Sequence, residues 1–483
     1  MTDTNTDTGN AGTADTADGA LYYREISELV PLLASGEISS AQLTEMTLER
    51  IGAVDQRLGS FAFVAADEAR LRAQESDQRR KAGDPRGPLD GIPLAIKDIY
   101  DKAGWRTEAG MALRAGQVAD DTATVVTRLE DAGAVIVGKV HTTEGVYTEH
   151  TPPFRAPLNP WDANRWVGVS SSGSGVAPVA GLCYGALGSD TGGSIRMPSA
   201  SNGATGLKPT WGRVSRAGVV ELAATLDHVG PICRSARDAG LILGAIAGAD
   251  PRDPTASLQP VPEFGTEMPT SLRGVRIGVD PSWSYRDVSA DVEQAHRAAE
   301  EMLRDLGAEL VHTDLPDPTQ AITDWFGVCA VQTARSHQSM FPAHRDSYGP
   351  ALRELIERGI AMTGIEYDEL LQRRLIFKGQ MEAALAPLDG VLIPAMSFIA
   401  PPVEKMIRMD DETTAGVHRF TVPFTLSQLP TITFPGGFTT TEAGLPFPVG
   451  LQMVGSAFTE RRLVDIVGAF QAATPWNKKH PQL

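Results

Sequence analysis

Apolar positions along this chain recur in two rhythms, and the two alternate. From Ile26 the period is helical, and Ser39 or Ser40 can cap a helix that presents Leu43, Thr47 and Ile51 on one face. The basic and polar stretch 70–81 continues as an exposed helix and breaks at Gly83-Asp84-Pro85. Leu94, Ala95 and Ile96 read as a short buried strand with Lys97 at its end. Asp121 is placed to cap a helix carrying Val125, Val126 and Leu129, and a buried strand is predicted at 134–137. Further on, 274–279 reads as a strand. Ser289 then caps a helix with Val292, Ala295, Ala299, Leu303 and Leu306, ended by Gly307 before a strand at 308–311. Strands at 391–393, 431–434 and 449–454 and a last helix at 460–470 complete the pattern, while 315–415 is the least patterned region. Strands separated by helices predict an α/β protein, and no internal repeat interrupts them.

One stretch breaks this grammar. Residues 168–209 hold two Ser-Gly clusters, at 170–175 and 189–194, flanking an apolar segment that reads as a buried helix or strand. Gly192 and Gly193 lack a Cβ, so the chain can turn sharply before Ser194 and aim several N–H groups at one point. That arrangement suits an oxyanion beside a serine nucleophile. A tight turn without chemistry is the equal alternative. Lys97 has a similar double reading: most lysines lie at the surface, but one that closes an apolar strand is desolvated, loses its charge more easily and can serve as a neutral base.

Composition excludes several classes. At 483 residues the chain suits one large α/β domain or two smaller ones. A net charge of -17 argues against a protein whose main task is gripping nucleic acid or an anionic membrane. Cys183, Cys233 and Cys329 are widely spaced, which suits buried thiols in a reducing compartment. Zinc-type Cys/His spacing and HExxH are absent, so neither a metal nor another cofactor is implied. Residues 1–20 are small, polar and acidic and read as a disordered tail, not a secretion signal. No run reaches the ~18–20 apolar residues of a membrane span, so a cytoplasmic protein is expected. Gly133 to Lys139 imitates a phosphate-binding loop, but Val140 replaces the required Ser/Thr and the intervening residues read as strand. GxGxxG and GxSxG do not occur.

The motifs GIPLAIKD, SSSGSG, SDTGGSIRMPS and GLKPTWGRVSRAG follow one another in this order. Together with FTVPFTLSQLPTITFP and PVGLQMVG they resemble the amidase signature family of serine hydrolases almost end to end. The resemblance implies one α/β domain over 21–483, with a large mixed sheet covered by helices. It implies Ser194 as the nucleophile that forms an acyl-enzyme, Ser170 as a bridging serine preceded by a cis peptide bond, and Lys97 as the base. Backbone N–H groups of Thr191, Gly192, Gly193 and Ser194 would hold the oxyanion. Asp190 and Arg196 match motif positions and read as braces for the loop. Ser171 and Ser174 read as network hydroxyls, and Lys208 and Trp211 as structural. The family commonly has glycines where this chain has Val169 and Ser172.

Three functions compete. The first is a stand-alone hydrolase of amides, and by the same acyl transfer of carbamates (urethanes) or esters, acting as a monomer or homodimer on neutral, fairly apolar small molecules. No Arg or Lys cluster beyond Lys97 and Arg196 lies near the motifs to suggest a charged substrate. The second is the glutaminase (A) subunit of a tRNA-dependent amidotransferase, and the third a non-catalytic binding relative. Substrate pockets are expected within 100–165 and 315–420. Arg335, His337, His344 and Tyr348 lie in the latter and read chiefly as ordinary polar residues.

Overall fold

The structure is a computed structural model that describes residues 21–265, 267–407 and 409–483. The acidic stretch 1–20 lies outside the described residues. In chain order the strands are β1 (Phe61–Val64), β2 (Pro93–Lys97), β3 (Val135–Val140), β4 (Gly185–Asp190), β5 (Thr205–Lys208), β6 (His228–Cys233), β7 (Arg276–Val279), β8 (Glu309–His312), β9 (Gly390–Pro394), β10 (Thr431–Thr440) and β11 (Pro446–Val454). They form one sheet in the order β1-β3-β2-β4-β6-β5-β10-β11-β9-β7-β8. β2 runs parallel to β3 and β4, and β7 parallel to β8 and β9. The pairs from β4 through β6, β5, β10 and β11 to β9 are antiparallel, as is β1 with β3. The result is a single α/β domain with a mixed sheet flanked by helices.

β2 shows why its sequence is continuously apolar. Successive side chains of a strand face opposite ways. Leu94 and Ile96 enter the main core with Val126 and Leu129, and Ala95 enters a second cluster with Val54, Ala73 and Val176. Both faces are covered, so no polar alternation survives. Lys97 follows on the Ala95 face, beneath the helix Ser172–Val179.

The local expectations fare unevenly. Ser39 caps the helix Ser40–Leu58 by accepting from Gln42 N, whose side chain returns the bond. The apolar segment of the central stretch is both helix and strand: Ser172–Val179 leads through the turn 180–184 into β4. Asp121 does not cap the helix Thr124–Asp131; its carboxylate pairs with Arg252 at 2.5 Å, and Ala123 holds the cap position. Ser289 occupies the cap of the helix Ala290–Asp305 without a side-chain bond.

The least patterned region holds two of the longest helices, Thr319–Ser336 and Gly364–Leu385. The first buries Asp324, Trp325, Gln332 and Thr333 beside its apolar residues, so a search for apolar periodicity passes over it. The second buries only Arg374, Phe377, Met381 and Leu385, too sparse a stripe to read. Thr319–Ser336 also packs against the helix Pro350–Ala361, and the two backbones touch at Gly359. A Cβ there would lie 2.0 Å from the Ala330 carbonyl oxygen. Gly359→Ala should therefore lower stability by about 1–3 kcal/mol despite the better helix propensity of alanine. The midpoint and slope of equilibrium urea unfolding measure it, and an unchanged or raised midpoint would refute this account of the helix contact.

Candidate active site

Lys97 is wholly buried at the end of β2. Its Nζ lies 2.7 Å from Ser170 Oγ and 2.9 Å from both Ser171 Oγ and Ser189 Oγ, and no carboxylate stands within ion-pair distance among the described residues. Burial drives its pKa well below the ordinary lysine value, and the carboxylates of Asp227 and Asp190 pull it upward too weakly to compensate. Ser171 is also the N-cap of the helix Ser172–Val179, whose positive end disfavours an ammonium in the same way.

A neutral amine has two protons to donate and one lone pair to offer. Ser171 Oγ accepts from Lys97 and from Ser189 N and donates to Ser189 O, so its proton is committed. The lone pair of Nζ is therefore left for the hydroxyl of Ser170 or Ser189. Ser171 is a network hydroxyl, as expected, and so is Ser174, whose Oγ donates to Leu187 O at 2.9 Å.

The Val169–Ser170 peptide bond is cis. The departures from the family pattern are accommodated. Val169 packs with Ile195 and Met197, and Ser172 Oγ lies 3.1 Å from His150 Nε2. Gly168 has φ +77° and sits so close to Pro198 that a Cβ would meet its backbone at 2.5 Å. The Ser170 turn is thus pressed against the first turn of the helix Arg196–Asn202, just past Ser194.

Between β4 and that helix runs the loop 191–195. Asp190 and Arg196, both fully buried, brace it by a bidentate pair at 2.9 and 2.8 Å. Burial alone would raise the Asp190 pKa, but the Arg196 guanidinium outweighs it and holds the carboxyl far below the usual range. Arg196 also donates to Thr421 O at 2.6 Å and Thr425 Oγ1 at 2.7 Å. The same Asp190 carboxylate accepts from Gly193 N at 2.8 Å and Ile195 N at 3.1 Å. This corrects one expectation: the Gly193 N–H is not free for an oxyanion, because the carboxylate three residues back has taken it. The N–H groups of Thr191, Gly192 and Ser194 meet no acceptor among the described residues. Ser194 is partly buried, and its hydroxyl likewise has no partner among them, so the bond from Ser194 to Ser170 is not made here.

Other groups at this site were not singled out by sequence. Thr191 Oγ1 donates to Asp227 at 2.6 Å, and Trp325 Nε1 donates to Thr191 O at 2.8 Å. Burial pushes the Asp227 carboxyl up to about 6 against the pull of its Thr191 bond. His228 Nδ1 lies 2.6 Å from Leu226 O and 3.1 Å from Asp190 O, and burial holds its pKa far below the ordinary histidine value.

Of the candidates outside the motifs, His337 is buried against the Tyr348 hydroxyl at 3.1 Å, Arg335 pairs with Glu221, and His344 is exposed. Lys208 donates to the backbone carbonyl of Leu429 and Trp211 Nε1 to that of Ala224, consistent with structural roles. All three cysteines are buried and free. Among the described residues, no group of three or more His, Cys, Asp or Glu is placed to hold a metal ion, and no helix is long and apolar enough to cross a membrane.

A cavity of about 960 Å³ adjoins the layer formed by Trp325, Phe326 and His418, with Phe326, Ile322 and Phe398 in its wall. It draws on 286–289, 317–326, 358 and 397–419, and 100–165 contributes nothing to it. Its lining includes Arg286, Arg358 and Arg419 as well as Asp287, Asp411 and Glu412. Folding gathers these charged residues from distant segments of the chain. A smaller cavity of about 190 Å³ reaches Ser189, Asp227, His228 and Val146.

Comparison with known proteins gives the family and the fold. A family model described as Amidase matches residues 42–464. The protein named "Putative amidase AmiD" in Mycobacterium tuberculosis is 41% identical over 469 residues, covering 96% of this chain and 97% of the relative. The A-type polypeptide of the glutamyl-tRNA(Gln) amidotransferase of Roseiflexus sp. is 37% identical over 491 residues, covering 96% and 99%. The solved structure of a native peptide amidase from Stenotrophomonas maltophilia superposes with a TM-score of 0.78 at 31% identity, over 93% of this chain and 96% of that one. The chain belongs to the amidase family of hydrolases that cleave C–N bonds.

Proposed function

We propose that this protein is a stand-alone serine amidase in which Ser194, Ser170 and Lys97 form one proton relay. The observation that carries the proposal is Lys97: a buried amine whose direct partners are hydroxyls and not carboxylates is a base held ready, because burial outweighs the distant pull of Asp227 and Asp190 toward the charged form. Ser194 Oγ attacks the substrate carbonyl carbon while its proton passes to Ser170 Oγ, and the Ser170 proton passes to Lys97 Nζ. Rotation of the unpartnered Ser194 side chain closes the missing bond when substrate arrives. The N–H groups of Thr191, Gly192 and Ser194 receive the negative oxygen. The relay then runs backwards, delivering a proton to the nitrogen as the C–N bond breaks and leaving an ester on Ser194. Water, deprotonated through the same relay, releases the acid.

Ile322, Phe326 and Phe398 in the wall of the larger cavity support a carbonyl substrate with an apolar body, with carbamates and esters open to the same chemistry. On this reading the enzyme is cytoplasmic, works as a monomer or homodimer, and engages neither nucleic acid nor membrane. The likeness to the amidotransferase polypeptide over nearly the whole chain supports a second reading, a glutaminase that depends on partner chains. Hydrolysis of a panel of amides, carbamates, esters and glutamine by the purified single chain separates the two: turnover of apolar amides supports the first, and activity confined to glutamine in the presence of partners supports the second.

In the same panel, Ser194→Ala and Lys97→Ala should each lower amide kcat by about 10⁴-fold or more, as removal of relay members does elsewhere. A Lys97→Ala enzyme that kept most of its amide activity near neutral pH would refute the assignment of the base.

The pH dependence has a fixed sign. Lys97 must be neutral to accept a proton, and burial lowers its pKa well below the ordinary lysine value, so its neutral form persists to lower pH than that of an exposed lysine. As pH falls through that lowered value the amine protonates, and kcat/KM should fall with a slope of one proton. An activity that climbed toward acid would contradict a neutral amine base.

A further inference from the structure

We infer that Trp325 is the positioning residue of the oxyanion site: its indole N–H pins the Thr191 carbonyl and so fixes the direction of the Gly192 N–H. This rests on the reading of Ser194 as nucleophile. Within one planar trans peptide the carbonyl and the N–H point opposite ways. The Thr191 carbonyl faces Trp325 Nε1 at 2.8 Å, so the Gly192 N–H points away from the indole, where it meets no acceptor among the described residues.

The rest of the loop is held by other means. The Thr191 side chain is tied to Asp227, and Gly193 and Ile195 are tied to Asp190. The peptide between Thr191 and Gly192 is the unit these bonds leave free to flip. A flip would turn a carbonyl oxygen toward the developing oxyanion and remove a donor, converting attraction to repulsion. Trp325 opposes that flip by its hydrogen bond and also by its bulk. A Cβ on Gly192 would lie 2.3 Å from Trp325 Cζ2, so the indole lies directly against that glycine. The bond spans 134 residues and comes from the middle of the helix Thr319–Ser336.

The test removes the N–H and keeps the shape. Trp325→Phe does so approximately, and benzothienylalanine in place of Trp325 does so with sulfur where the N–H was, which guards against a folding defect in the first variant. Each is assayed for kcat and KM on the best amide of the panel. Each is also titrated with the matching trifluoromethyl ketone, which forms an oxyanion on Ser194, and with the matching alcohol, which does not.

Both variants should lose roughly 10–100-fold in kcat and in ketone affinity together, while KM and alcohol binding hold. Wild-type kcat in both variants, or a loss shared equally by ketone and alcohol, would overturn the inference. A wild type that hydrolyses no amide would overturn the proposed function and this inference with it. Unchanged variants beside an active wild type would overturn this inference alone.

Discussion

The site depends on keeping one amine out of water without giving it an anion. A carboxylate beside a buried lysine pulls it toward its charged form, and a lysine at the surface is charged as well. Lys97 avoids both because β2 is covered on both faces and because the groups around its tip are serines. The neighbouring strand makes room. β4 runs Gly-Ala-Leu-Gly-Ser-Asp, and a Cβ on its Gly188 would meet Ser171 Oγ at 3.0 Å. The small residues that mark this part of the chain as unusual are the spatial requirement for packing three hydroxyls around one nitrogen.

Other buried cations show the alternatives. Asp190 grips Arg196 on two nitrogens, and the pair works as a clamp on the loop. Lys139, one strand over, has Asp98 at 3.2 Å and the Thr107 hydroxyl at 2.7 Å. It accounts for the false phosphate-loop pattern: the Lys of that match lies inside β3, turned into the core. Lys208 is desolvated like Lys97 but faces backbone carbonyls, which have no proton to give it, so burial alone produces no relay. What distinguishes Lys97 is burial combined with partners that hold exchangeable protons.

Much of this was readable along the chain. The run Leu94-Ala95-Ile96-Lys97 announces a desolvated amine, and Gly192-Gly193 before Ser194 announces a turn with clustered N–H groups. The fold class followed from strands alternating with helices. The error at Gly193 was one of accounting. Asp190 lies three residues before it, the spacing at which a carboxylate commonly captures backbone N–H groups, and that signal was present. Trp325, Asp227 and Thr421 carried no such signal, since their contacts with the loop join segments far apart in sequence and depend on how whole helices pack. The arginines of the larger cavity were hidden for the same reason.

The helix Thr319–Ser336 ties these observations together. Ile322 and Phe326 face the larger cavity, and Trp325, one residue from Phe326, touches the loop before Ser194. Neighbouring positions on a helix are offset by about 100° around its axis, so one helix presents a cavity wall to one side and a brace for the loop to the other. The cavity wall and the hydrogen bond to the Thr191 carbonyl therefore belong to one rigid element. Binding energy from a remote part of a substrate can then be expressed at the reacting carbon and raise kcat as well as lower KM. The arrangement also accounts for the uneven legibility of the protein. The residues proposed to react sit in short motifs where spacing carries information, while the wall of the larger cavity is assembled from segments whose sequences show little pattern of their own.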